Sequence, residues 1–117
     1  MLTLHLTLKK KWFDMIASGE KKEEYREIKP YWVSRIVDEI RIEAVERHDS
    51  FLVHGAHCTI NTTIYYDAVK FTNGYSKSSP TITVEIVGIE TGIGKEKWGA
   101  PIGQHVFIIK LGKILTA

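Results

Sequence analysis

The side chains best placed to do chemistry in this 117-residue sequence lie in Gly19-Glu20-Lys21-Lys22-Glu23-Glu24-Tyr25-Arg26. An ammonium, a carboxylate and a guanidinium converging beside a helix end can grip a phosphate or polarise a polar ligand, because charge-assisted hydrogen bonds are short and strong. The run taken alone also fits a solvated charged turn. Glycine ends helices because it reaches the left-handed conformation without a Cβ clash. A strand entered near Glu24 puts Glu24 and Arg26 on one face and Tyr25 on the other.

The flanking elements must position this run. Leu2, Leu4, Leu6 and Leu8 alternate with Thr3, His5 and Thr7, the period of a strand with one buried face. From Lys9 the period changes, and Trp12, Phe13, Ile16 and Ala17, with Met15 at the edge, mark a helix that Ser18-Gly19 stops. A strand over 23–28 follows, ended by Pro30. Tyr31, Trp32, Ile36, Val37 and Ile40 then predict a second amphipathic helix with its aromatic residues in the core. The stretch 41–64 reads as an insertion with one or two strands.

Further on, 66–71 is a strand that closes on the turn Thr72-Asn73-Gly74-Tyr75, since Asn-Gly tolerates positive φ. The β-branched segment 81–89 reads as a central strand, and 106–114 as the last one, with Gly112 a candidate bulge. Gly92-Ile93-Gly94-Lys95 has some of the look of a phosphate loop but lacks its full spacing and its Lys-Ser/Thr pair. Trp98-Gly99-Ala100-Pro101 makes a second turn. The expected architecture is α+β, mainly β: an antiparallel sheet of five or six strands curled into a small barrel, with two N-terminal helices packed on its side or across its mouth.

Composition bounds the function. Hydrophobic content of 44% and charged content of 26% are those of one ordinary globular domain, 1–117. No apolar run approaches the roughly 20 residues of a membrane span, and the first residues lack the pattern of a signal peptide. The single cysteine, Cys58, rules out an internal disulfide and suits a reducing cytoplasm. Near His54 and His57 it reads as a bystander thiol, and no metal site or cofactor is legible. A net charge of +2 permits an anionic ligand, and Lys9, Lys10, Lys11, Lys21, Lys22 and Arg26 cluster early while Lys95 and Lys97 return late.

Gly19, Lys21, Glu24 and Arg26 stand as G-x-K-x-x-E-x-R after a strand and a helix carrying Trp12-Phe13. With Lys29-Pro30-Tyr31-Trp32, Phe71-Thr72-Asn73-Gly74-Tyr75, Val84-Glu85-Ile86 and the segment from Gly94 to Pro101, this resembles the ASCH domain family, a branch of the PUA-like β-barrel superfamily, in its small stand-alone form. The resemblance covers most of the chain outside 41–64. It implies a barrel with a basic cleft beside the motif that binds single-stranded RNA or a nucleotide. Carried over, Gly19, Lys21, Glu24 and Arg26 would line the cleft: Lys21 and Arg26 would meet phosphate or a base carbonyl, and Glu24 would orient Arg26 or accept from a base amino group. Tyr25, Tyr75 and Trp98 are the stacking candidates.

The resemblance also carries an enzymatic alternative. Some small ASCH-like proteins hydrolyse N4-acetylcytidine with a motif lysine and threonine; Lys21 matches the lysine, and Glu24 stands in the place of the threonine. A ribonuclease would use Lys21 and Arg26 to stabilise the phosphorane and Glu24 as the base. Because Glu23 and Glu24 neighbour Lys21 and the loop should be solvated, Lys21 is expected to stay charged and bind.

Overall fold

The computed structural model describes residues 2–36 and 66–116; the expected insertion at 41–64, with Cys58, His54 and His57, lies outside them, as do Val37 and Ile40. The elements run β1 (Thr3–Leu8), α1 (Lys10–Ala17), β2 (Glu23–Glu27), α2 (Pro30–Ile36), β3 (Ala68–Asn73), β4 (Thr81–Ile93), a single 3-10 turn (Glu96–Trp98) and β5 (His105–Thr116). They form a mixed α+β fold in which a curled, half-barrel sheet of five strands in the order β1-β3-β4-β5-β2 carries two packed helices. This is the expected fold class. No described helix is long and apolar enough to cross a membrane.

Period-2 patterning accounts for the strands. Leu4, Leu6 and Leu8 of β1 are buried with Val69 and Phe71 of β3, Ile82, Val84 and Ile86 of β4, and Phe107, Ile109 and Leu111 of β5. Each such side chain contributes about 1.5–3 kcal/mol through burial. The buried phase of β4 slips from Ile86 to Ile89 where its pairing with β5 shifts register between Ile86 and Gly88. A bulge does this by adding one residue, which reverses the facing of every residue beyond it. A compensating shift falls between Val84↔Ile114 and Ile86↔Leu111, around the expected bulge at Gly112, where a Cβ would sit 2.3 Å from Glu85 Oε1.

β5 is covered on both faces. Phe107 and Ile109 enter the main core, while Val106 and Ile108 pack with Tyr25, Trp98 and Ala100 in a second cluster. The register sets Glu24 opposite Ile109 and Arg26 opposite Phe107, on the main-core face, and Tyr25 opposite Ile108 on the other. The alternation read in the sequence therefore holds, and it turns two charged residues inward at the open edge of the sheet.

Several local expectations are corrected. The strand expected at 66–71 begins at Ala68 and runs to Asn73, with Tyr66 instead half-buried and donating its hydroxyl to the Arg35 carbonyl. Only Gly74 of Asn73-Gly74 takes positive φ. Tyr31 is exposed and meets Trp32 edge-on at 4.8 Å, because Val33 and Ile36 occupy the buried stripe of α2. Ala17 is likewise outside the core face of α1, which is set by Phe13 and Ile16. β1 pairs with β3 in parallel, which the antiparallel expectation lacked. The long connection through α1, β2 and α2 permits it, since parallel neighbours need a crossover and not a tight turn.

Candidate functional site

β1 and β2 are the two edges of the sheet, and α1 links them. Gly19, at φ +84°, turns the chain off the end of α1. The Lys21 amide then donates to the Met15 carbonyl at 3.0 Å, which fixes Lys21 under the helix. Its side chain is wholly buried, with Nζ 3.0 Å from Glu24 Oε1 and a second bond donated to the Trp98 carbonyl. The rings of Tyr25 and Trp12 lie 4.9 and 5.1 Å from that ammonium. Burial pulls the Lys21 pKa below its ordinary value, with Glu24 opposing the shift and Arg26 adding to it.

Glu24 stands between two cations. Its other oxygen, Oε2, accepts from Arg26 Nη1 at 2.6 Å. Nη1 also donates to the Tyr25 carbonyl at 2.6 Å, and Nη2 donates to the Thr7 carbonyl at 3.2 Å. Arg26 thus reaches from β2 across to β1 and clasps the two sheet edges through its planar fork, while its guanidinium carbon lies 5.2 Å from the Trp32 ring centre.

Tyr25 points the other way and anchors the late turn. Its hydroxyl donates to Glu23 Oε1 at 2.7 Å and accepts from the Lys95 amide at 3.0 Å; burial raises its pKa well above the ordinary tyrosine value. Gly94 packs so tightly here that a Cβ would come within 2.6 Å of both the Tyr25 ring and the Ala100 Cβ. Gly94→Ala is accordingly expected to lose about 1–3 kcal/mol in a urea titration, the range for overpacking. An unchanged midpoint would show that the Tyr25 anchor has slack. Gly92-Ile93-Gly94-Lys95 is therefore a packed strand end leading into one 3-10 turn, not a phosphate loop.

A cleft of about 500 Å³ opens beside this network. Its walls come from the end of β1 (Thr7, Leu8) with Lys9, from Trp12 of α1, from Glu24 to Glu27 of β2, from Trp32 of α2, and from Trp98, Gly99, Pro101, Gln104 and Val106. All three tryptophans of the chain line it. Gly99, at φ +100°, brings the late turn so close to α1 that a Cβ there would meet the Trp12 ring at 3.0 Å.

Of the residues expected to form a site, Glu24, Tyr25, Arg26 and Trp98 are brought together on the cleft, but Tyr25 and Trp98, expected as stacking platforms, are both buried in the second cluster and leave no open ring face. Lys21 braces it from behind without lining it, and the solvated environment expected for Lys21 is absent. Gly19 shapes the turn and borders a separate small cavity, and Tyr75 projects fully into solvent at the far hairpin. The expected basic cleft is charge-balanced inside, where Lys9 and Arg26 face Glu24 and Glu27. The cations sit instead against its aromatic walls: Lys11 Nζ is 4.6 Å from the Trp12 ring, and Lys95 and Lys97 are 4.4 and 5.0 Å from Trp98.

Glu27 and Gln104 escaped the sequence reading, which put Trp12 and Trp32 on helix core faces and counted Lys9 only in a basic cluster. The signal available for the two tryptophans was that an indole beside a lysine or a proline-initiated helix need not be core. Among the described residues no group of His, Cys, Asp and Glu side chains has the makings of a metal centre. No family model, curated protein or solved structure matches this chain.

Proposed function

We propose that this domain, a small ASCH-type member of the PUA-like superfamily acting in the cytoplasm, binds single-stranded RNA by receiving a nucleobase in the cleft. The carrying observation is the set of three tryptophans on one concave surface, each with a Lys or Arg against its ring. The half-buried indoles of Trp12 and Trp32 can stack on any base, Trp98 forms the buried back of the wall, and the lysines beside Trp12 and Trp98 neutralise the phosphates that follow. The volume of about 500 Å³ suits one nucleotide, not a duplex. A charge-balanced interior favours a base there, and the exposed Lys9 at its mouth with Lys11, Lys95 and Lys97 around its rim would carry the backbone.

Short single-stranded RNA, titrated by tryptophan quenching, tests this. Trp32→Ala is expected to weaken binding by about 5- to 150-fold, equivalent to about 1–3 kcal/mol of lost stacking. The salt slope should survive that change, at about −3 if four phosphates are neutralised, and should fall by about 1.4 in the Lys95→Ala, Lys97→Ala double variant. An affinity that ignores Trp32→Ala would sink the assignment of the cleft.

Turnover of N4-acetylcytidine or of RNA phosphodiesters is the second reading, favoured by the lowered pKa of Lys21 beside Glu24. Binding is preferred because the Lys21 ammonium is spent on Glu24 and the Trp98 carbonyl and its side chain does not reach the cleft wall. Incubation with N4-acetylcytidine and with labelled RNA, with and without a chelator, separates the two. Turnover that Lys21→Ala abolishes would replace binding with catalysis.

A further inference from the structure

We infer that α2 carries a second nucleotide subsite, made by the Tyr31 ring and the Arg35 guanidinium, which takes the base next to the one in the cleft. This rests on the RNA-binding reading of the cleft. α2 packs into the core through Val33 and Ile36, and Trp32 lies on the cleft wall. Tyr31 does neither and is 52% exposed. A single exposed apolar side chain is ordinary on a protein surface. Tyr31 is set apart by its neighbours, which join it to the cleft on one side and to a cation on the other. Tyr75, still more exposed on the far hairpin, has no ring or cation against it among the described residues.

Arg35 stands one helical turn after Tyr31, and its guanidinium carbon lies 4.5 Å from the centre of the Tyr31 ring. Contact through the flat face of a guanidinium leaves its five N–H donors free in the plane. Among the described residues the Arg35 side chain pairs with no carboxylate and makes no hydrogen bond, so its charge and donors are open to a phosphate. Arg35 covers one face of the ring, and the exposure of Tyr31 leaves the other for a base. On its cleft side Tyr31 meets Trp32 with ring centres 4.8 Å apart and planes at 89°. Two bases resting on rings at a right angle cannot stack on each other. The strand is therefore splayed across α2, one base in the cleft and its neighbour on Tyr31, as unstacked single-stranded RNA allows and a duplex does not.

The test titrates uridine monophosphate, the dinucleotide UpU and an rU hexamer into the wild-type domain by tryptophan quenching, with Tyr31→Ala, Tyr31→Phe, Arg35→Gln and Trp32→Ala beside it. The wild type is expected to bind UpU about 5- to 150-fold more tightly than the mononucleotide, the gain from one further stacked base. Tyr31→Ala should abolish that gain, with its effect confined to ligands longer than one nucleotide, whereas Tyr31→Phe should keep it, because stacking needs the ring and not the hydroxyl. Arg35→Gln should lower the salt slope of the hexamer by about 0.7. Circular dichroism should show every Tyr31 and Arg35 variant folded, since both side chains are exposed. A UpU gain that survives Tyr31→Ala, or a Tyr31→Ala loss as large for the mononucleotide as for UpU, overturns the second subsite while the dependence on Trp32 keeps the cleft. Failure of all three ligands to bind the wild type overturns the RNA reading and the inference with it.

Discussion

Glu24→Ala should destabilise the fold by about 3–5 kcal/mol at pH 7, the range for breaking a buried ion pair by removing one partner. The carboxylate sits between Lys21 and Arg26, and its loss strands a fully buried ammonium whose one other hydrogen-bond acceptor is the Trp98 carbonyl. Deprotonation limits the penalty. Neutralising a lysine of ordinary pKa 10.5 at pH 7 costs about 5 kcal/mol, and beyond that the buried amine is simply neutral.

The pH dependence follows with a definite sign. The folded pKa of Lys21 already lies below 10.5 through burial, so the unfolded chain holds that proton more tightly than the native one. Stability attributable to Lys21 therefore rises with pH, from the folded pKa up to 10.5, and is lost as pH falls back through that window. Removing Glu24 takes away the main opposing influence, deepens the depression and extends the window downward. The Glu24→Ala deficit should shrink between pH 7 and pH 9.5 in urea titrations, and Lys21→Met should erase the slope. Tyr25, whose pKa is raised by burial, acts in the opposite sense above its ordinary 10.0 and leaves this range clear. A Glu24→Ala loss under about 1 kcal/mol at pH 7 would mean that Glu24 is not what holds the buried ammonium.

Arg26→Lys should lose about 2–3 kcal/mol of stability and at least about tenfold in RNA affinity, despite keeping the charge. Arg26 simultaneously meets Glu24, the Tyr25 carbonyl and the Thr7 carbonyl, and the last of these joins β2 to β1. A point charge on a flexible stem cannot span three acceptors in that plane. The cleft lies between those two edges, so its walls should loosen together. Lys29→Ala, which removes an exposed cation 4.0 Å from Glu27, should leave stability within about 0.5 kcal/mol of wild type. If Arg26→Lys behaves like Lys29→Ala in both denaturation and RNA titration, the clasp has no mechanical role.

The local pattern of the chain was enough to place Leu4, Leu6 and Leu8 on one face of a strand, to end α1 at Gly19, to start α2 at Pro30, and to set Glu24 and Arg26 opposite in facing to Tyr25. Each follows from backbone sterics or side-chain alternation acting within a few residues. Tertiary structure decided the rest. Whether Lys21 sits in water or in the interior depends on what covers the turn, and the cover is Trp98, 77 positions away. The meeting of Trp12, Trp32 and Trp98 on one cleft depends on strand order, which puts β1 and β2 at opposite ends of the sheet and lets the curl bring them back together. The slip in facing along β4 arises from bulges in its pairing with β5, and no periodicity within β4 specifies its partner's length. Sequence thus fixed which residues were charged, aromatic and turn-forming, while long-range pairing decided which of them became a buried brace, a clasp or an open wall.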